Sequence, residues 1–220
     1  MDPVLVGNDM RLLVSDMAGR ASIELKGREL GYDLSEDRDL VTRVTDRVKL
    51  LEQRGYTFEA ADASFELLLV EEVGGSRPTY FSIESWRVIS ESSPGPGEEA
   101  VSEATVKLRA GGERIVMTAE GNGPVHALDQ ALRQAIGQAY PQVAGFDLID
   151  YRVRILDQGH GTDAVIRVLI ETTDGEDSWT TVGVGHNIVE ASWEALRDAV
   201  TYGLRRAGVG LTPEARRPHG

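Results

Sequence analysis

The residues of this chain best suited to chemistry are glycines rather than nucleophiles. Gly121 and Gly123 in EGNGPVHAL, and Gly183 and Gly185 in VGVGHNIVEA, each precede an alanine-rich amphipathic run. A helix is expected to start near Pro124 in one case and near Asn187 in the other. Proline suits a first helical position, where its missing N–H leaves nothing unsatisfied that was not so already. Glycine lets backbone N–H groups be approached closely, and a helix start carries partial positive charge. Gly121, Asn122, Gly123, Pro124 and Val125 therefore describe a seat for a carboxylate. The same glycines equally describe a tight strand-to-helix corner that holds nothing. Asp150 and Tyr151 stand at the start of a later strand and offer an anion and an aromatic wall. A carboxylate seat facing an anion fits a zwitterion, that is, a free amino acid. Leu128, Ala131 and Leu132 recur at helical spacing and face inward, Ala131 leaving room for packing or for a ligand side chain.

Catalytic patterns are sparse. The histidines are His126, His160, His186 and His219, and none stands in an HxH or HExxH metal spacing. In GHGTD, His160 and Asp163 form the pair a small hydrolase would use, but no nucleophile accompanies them. The glycines do not make a GxGxxG fingerprint within a βαβ unit, and neither a P-loop nor a GxSxG elbow occurs. The chain has no cysteine, which excludes disulfides, thiolate metal sites and a cysteine nucleophile.

The elements that must position these residues fall into two kinds. The first third reads as helical. Ser35 is the expected N-cap of SEDRDLVTRVTDRVKLLEQRG, with Leu40, Val44, Val48 and Leu51 as one narrow apolar stripe. AADASFELLLVEEVGG places Phe65, Leu68 and Leu69 on one face and stops at Gly74–Gly75. Short helices bury little alone, so this stripe is expected to lack its partner. From Tyr80 the texture turns to strands, with a loop at SSPGPGEE and a tight turn at Ala110–Gly111–Gly112. The pattern then repeats. SWRVI answers DYRVR, EATVKL answers DAVIRV, GGERIV answers DGEDSW and ALDQAL answers ASWEAL, the spacing drifting by a few residues.

The fold class expected is therefore α+β. A helical arm over 1–77 precedes a duplicated βββα domain over 78–207 with pseudo-twofold symmetry, its units spanning about 80–140 and 147–207, and a disordered tail follows over 208–220. One three-stranded sheet with one helix closes a poor core, whereas two copies close one together. Internal duplication also favours an isologous homodimer. The 220 residues carry a net charge of −13 and 41% apolar residues, enough for a core. That charge argues against nucleic acid and anionic membranes as partners. With no apolar run of membrane-spanning length and no signal peptide, the expected setting is cytoplasmic.

Several long segments resemble one known family. LVGNDMRLLVSDMAGRASI, LEQRGYTFEAADASFELLL, IDYRVRILDQGHGTDAVIRVLIET and WTTVGVGHNIVEASWEAL are similar to the C-terminal half of citramalate synthases, within the wider 2-isopropylmalate and homocitrate synthase family. The run GYTFEAADASFELL carries the choice of the citramalate branch. The resemblance implies a parent acyltransferase that condenses acetyl-CoA with pyruvate, on the route to isoleucine, in an N-terminal TIM barrel holding a divalent metal. It implies that this chain is a fragment or truncated gene product lacking that barrel, with no cofactor of its own, and should not catalyse the condensation. It also implies that the glycine-rich corner belongs to a feedback-inhibitor pocket near a dimer interface. Carried over by motif, that pocket takes Gly121, Asn122, Gly123, Pro124 and Val125, with Asp150, Tyr151, Ile155 and Ala164, and with Leu128 and Ala131 on the helix. The implied effector is isoleucine, or leucine in the isopropylmalate branch. A ligand-free dimerisation scaffold and the His160/Asp163 hydrolase remain the competing readings.

Overall fold

A computed structural model describes residues 19–91, 101–156 and 164–211. His160 and Asp163 of the hydrolase reading lie outside the described residues, as does the tail from 212 onward.

The helical part holds α1 (Arg20–Glu29), α2 (Arg38–Gln53) and α3 (Asp62–Gly74). The cap of α2 is Asp37 rather than the expected Ser35: its carboxylate accepts the Leu40 N–H at 2.8 Å. Ser35 is used one turn earlier, where its N–H and hydroxyl both bond to Asp33 at 3.0 and 2.6 Å. A charged carboxylate beside the helix N-terminus is the stronger cap, and the turn at Asp33 occupies the serine. Leu40, Val44 and Val48 are buried together with Val41, and Leu51 is half-buried.

The stripe does not lack a partner. It closes on Ile23, Leu34, Phe58, Phe65, Leu68 and Leu69, and the cluster reaches Val182 in the sheet region. Helix α3 is buried continuously from Ala63 to Leu69, because α2 covers one side and the β-domain the other. A helix enclosed in this way has no need of a narrow stripe.

The rest is two copies of one unit. The first comprises β1 (Phe81–Ser90), β2 (Ser102–Ala110), β3 (Glu113–Gly121) and α4 (Pro124–Gly137). After a 3-10 turn at Pro141–Gly145 come β4 (Asp147–Ile155), β5 (Ile166–Thr173), β6 (Ser178–Gly185) and α5 (Ile188–Arg206). Each sheet has three antiparallel strands in chain order. The turn between β2 and β3 falls at Gly111 and Gly112, both at positive φ (59° and 86°), the geometry that continues the right-handed twist of a hairpin.

The register corrects the alignment of the repeats. Val106 pairs with Trp86 and Met117, while Ile170 pairs with Tyr151 and Thr181. The counterpart of EATVKL is thus Arg167–Thr172, not the DAVIRV segment, and Ile115 rather than Val116 answers Trp179. One constant offset carries Val106 to Ile170, Gly121 to Gly185 and Ala127 to Ala191. Only the first strands differ, by one residue, which the loops after β1 and β4 absorb. Even the irregularity repeats: the ladder shifts between Ile83 and Ser85 in β1, and between Leu148 and Asp150 in β4.

Helix α4 packs on β2 and β3, α5 packs on β5 and β6, and the two helices touch. Val106, Leu108, Leu128, Leu132 and Ile136 from one unit share a single core with Val168, Ile170, Leu196 and Leu204 from the other. Each helix also faces the first strand of the other unit: Trp86 of β1 packs on Trp193 of α5 with ring centroids 5.6 Å apart. The arm closes on the second unit, where Leu169, Val182 and Val184 pack into the helical cluster and the Val182 N–H donates to Ser64 Oγ at 2.9 Å. At the end of α5, the Gly208 and Val209 N–H groups return to the Arg205 and Leu204 carbonyls, and Val209 packs on the core.

Candidate functional site: a cleft between α4 and β4

Strand β3 passes so close under the start of α4 that a Cβ on Gly121 would lie 2.5 Å from the Ala127 nitrogen. Gly183 and Gly185 meet the backbone of α5 in the same way, at Ala191. These glycines are required by close approach of strand and helix, and in register Gly121 answers Gly185, so the two glycine pairs are not equivalent pairs. Gly123 is different. It is the N-cap residue, in extended backbone, with no atom within 4 Å of the point a Cβ would occupy and no side chain capping the helix. Pro124 occupies the first turn, as expected, and Asn122 donates its N–H to His126 Nδ1 at 3.2 Å.

Along the flank of α4 below this start lies a cavity of 430 Å³, lined by Val125, His126, Asp129, Gln130 and Arg133. Those positions follow helical spacing and so share one side of the helix. The opposite wall is Asp147, Leu148 and Tyr151 of β4. The irregularity between Leu148 and Asp150 turns Leu148 and Tyr151 to the same side of the strand. A volume of this size matches a small-molecule site, which typically spans about 300–1,000 Å³.

The polar lining is partly self-satisfied. Asp129 and Arg133 are joined at 2.8 Å through Nε and 2.7 Å through Nη2, with side chains only 7% and 16% exposed. Arg133 Nη1 also donates to the Phe146 carbonyl, which clips α4 to the entry of β4. Tyr151 shares a hydroxyl–hydroxyl bond of 2.8 Å with Ser192 of α5, and burial pushes its phenol up from the ordinary value. No side chain caps the first turn of α4, to which the cavity residues Val125 and His126 belong.

Among the residues singled out from sequence, Val125 and Tyr151 meet in this cavity, whereas Gly121, Asn122, Gly123 and Pro124 precede Val125 in the chain and do not line it. Leu128 and Ala131 are fully buried on the core side of α4 and do not line it. Asp150 accepts the Tyr151 N–H at 2.9 Å and pairs with Arg152 at 2.8 Å. Ile155 is 56% exposed at the far end of β4, on the same strand face as Tyr151, and Ala164 is buried ahead of β5. Neither lines the cavity. His126, Asp129, Gln130, Arg133, Asp147 and Leu148 were not foreseen. The i,i+4 series Val125, Asp129, Arg133 was the signal for that helix flank.

A smaller cleft of 170 Å³ lies where the arm meets α5. There Arg77 pairs with Asp198 at 2.6 Å, and Tyr56 donates to Glu194 at 2.7 Å while Glu194 accepts the Val184 N–H. Burial pushes the Asp198 carboxyl up to about 6, against the pull of Arg77 and Arg197. Among the described residues, no group of three or more histidine, aspartate or glutamate side chains is placed to hold a metal ion. Among the same residues, no helix is long and apolar enough to cross a membrane.

The fold defines an α+β class, a helical part followed by a duplicated βββα unit. Residues 59–204 match the LeuA allosteric (dimerisation) domain, and the chain belongs to that family. Over 95% of its length it is 64% identical to the (R)-citramalate synthase of Streptomyces coelicolor, of which it covers 39%. It is 46% identical to the (R)-citramalate synthase of Synechocystis over 96% of its length, again covering 39% of that protein. The 2-isopropylmalate synthase of Pseudoalteromonas atlantica is 30% identical over 89% of the chain and is covered to 35%. The chain thus spans well under half the length of these relatives.

Proposed function

We propose that this chain is the amino-acid-sensing and dimerisation portion of a citramalate synthase-like acyltransferase, with isoleucine as its feedback effector and leucine as the alternative. The parent reaction joins acetyl-CoA to pyruvate outside this chain. The observation that carries the reading is the cleft between α4 and β4 in a domain of this family. The effector's carboxylate meets the uncapped first turn of α4, and its branched side chain lies against Val125, Leu148 and Tyr151. Its ammonium is received by backbone carbonyls of the Gly121–Gly123 corner, since Asp150 is already held by Arg152 and the Tyr151 N–H. The exposed apolar residues Ile149, Val153 and Ile155 on edge strand β4 support burial against a second copy of the chain.

Binding acts on the parent enzyme only through a difference in affinity between its states. Helix α5 touches both ends of that linkage. Ser192 bonds the cavity residue Tyr151, and Glu194 and Asp198 hold Tyr56 and Arg77 of the arm. Isothermal titration of the purified chain with isoleucine and then leucine tests the proposal. Tighter binding of isoleucine supports the citramalate reading, and tighter binding of leucine moves the parent to the isopropylmalate branch. A single methyl's placement in an apolar pocket separates the two by about 1–3 kcal/mol. Binding of neither leaves a dimerisation scaffold, a reading favoured by the self-satisfied Asp129–Arg133 pair.

A further inference from the structure

The duplication provides two helix–strand crossings of one design: a cavity lies at one, and two indoles meet at the other. The register that places Tyr151 opposite Ile170 places Trp86 opposite Val106, so Trp86 is the counterpart of Tyr151 and Ile83 that of Leu148. The contacts of the glycine corners align Ala127 with Ala191, which makes Val189, Trp193 and Arg197 the counterparts of Val125, Asp129 and Arg133. These two sets are arranged alike: β4 faces α4 across the cavity, and β1 faces α5 through Trp86 and Trp193. The difference is in what fills the space. At one cleft the two central positions are a tyrosine and an aspartate folded back on Arg133. At the other they are indoles, with centroids 5.6 Å apart and Trp193 only 7% exposed.

We propose that the cleft between β1 and α5 is a closed copy of the β4–α4 cavity, and that the Trp86–Trp193 pair is the plug that limits each chain to one α-amino acid with a branched aliphatic side chain. The ligand class rests on the function proposed above; the plug rests on the repeat geometry alone. Val189 and Ile83 keep the apolar lining in the closed copy, and Arg197 keeps the cation four residues after the plugging position. What it lacks is room. Two large aromatic side chains in contact also contribute beyond their buried area, so the plug stabilises the fold while it excludes ligand.

The test exchanges the two central positions between the clefts in the purified chain. The double variant Trp86→Tyr/Trp193→Asp is titrated with isoleucine and with leucine beside the native protein, with circular dichroism and mass in solution as controls. The inference expects one site per chain in the native protein and two in the variant. A variant with native dichroism and mass that still binds one ligand per chain overturns it. Should that variant not fold, the converse exchange Asp129→Trp/Tyr151→Trp decides: a folded protein with no remaining site supports the plug, and one that still binds refutes it. A native chain that binds neither amino acid overturns the functional proposal and removes the ligand limit with it. A native chain with one site and an unchanged variant removes only the plug.

Discussion

The glycines around the start of α4 make opposite predictions although they stand two residues apart. Adding a methyl at Gly121 drives a Cβ to 2.5 Å from the Ala127 nitrogen and 2.9 Å from the His126 carbonyl carbon. Both are backbone atoms of a helix that packs on two strands, so neither has a flexible side chain's freedom to yield. Overpacking of this kind costs about 1–3 kcal/mol, and a backbone obstacle puts Gly121→Ala at the upper end. At roughly 2–4 °C per kcal/mol for a chain of this size, the melting temperature should fall by about 6–12 °C. Gly123→Ala meets nothing within 4 Å and keeps an extended backbone that any residue adopts. Its poorer cap and its stiffer unfolded chain oppose each other at about 0.5–1 kcal/mol each, leaving a shift within about 3 °C. Differential scanning calorimetry of the two variants, with mass in solution as a control, reads both. Equal losses at the two positions, or a neutral Gly121→Ala, would show that close approach of strand and helix is not why the first glycine is there.

Three further outcomes follow from the same geometry. Gly123→Trp fills the open side of the α4 start and should abolish isoleucine binding in titration while the oligomeric mass and melting curve stay native; undiminished binding removes the first turn from the site. Arg133→Ala leaves the buried Asp129 carboxylate without its partner, and breaking a buried pair costs about 3–5 kcal/mol, so the urea midpoint should drop sharply, more than for Asp129→Asn/Arg133→Ala together. Asp198 has a carboxyl raised from 3.8 to about 6 in the folded chain, so folding favours its protonated form. Its contribution is therefore complete below pH 4 and is lost as pH rises through 6, a change on the order of 3 kcal/mol. Stability of Asp198→Asn should lose that downward slope between pH 4 and pH 6, and an identical slope in both proteins would exclude the assignment.

The two glycines of the corner stand in different surroundings. Gly121 is held by packing, Gly123 by nothing around it. The anionic partner expected at Asp150 is instead tied up in its own strand, whereas the cavity's buried carboxylate is Asp129, one helical turn below Val125 and satisfied by Arg133. Local sequence cannot distinguish such cases, because the distance from a glycine to the next element depends on how the two pack.

Much of the architecture was decided along the chain itself. The alternation around Trp86, the Ala110–Gly111–Gly112 turn, the proline opening α4 and the recurrence of the whole unit all rest on contacts between near neighbours, where residue type and spacing dictate backbone conformation. Family membership was likewise carried by contiguous segments. Tertiary structure decided the rest. The register of β5 against β4 set the repeat alignment, since unequal loops hide it from residue matching. Burial against β6 and α5 supplied the partner of the helical arm. The cleft exists because α4 crosses to the other unit's edge strand, while the equivalent crossing of α5 is filled by two indoles. A cavity is the space that packing leaves between distant segments, so no stretch of sequence contains it.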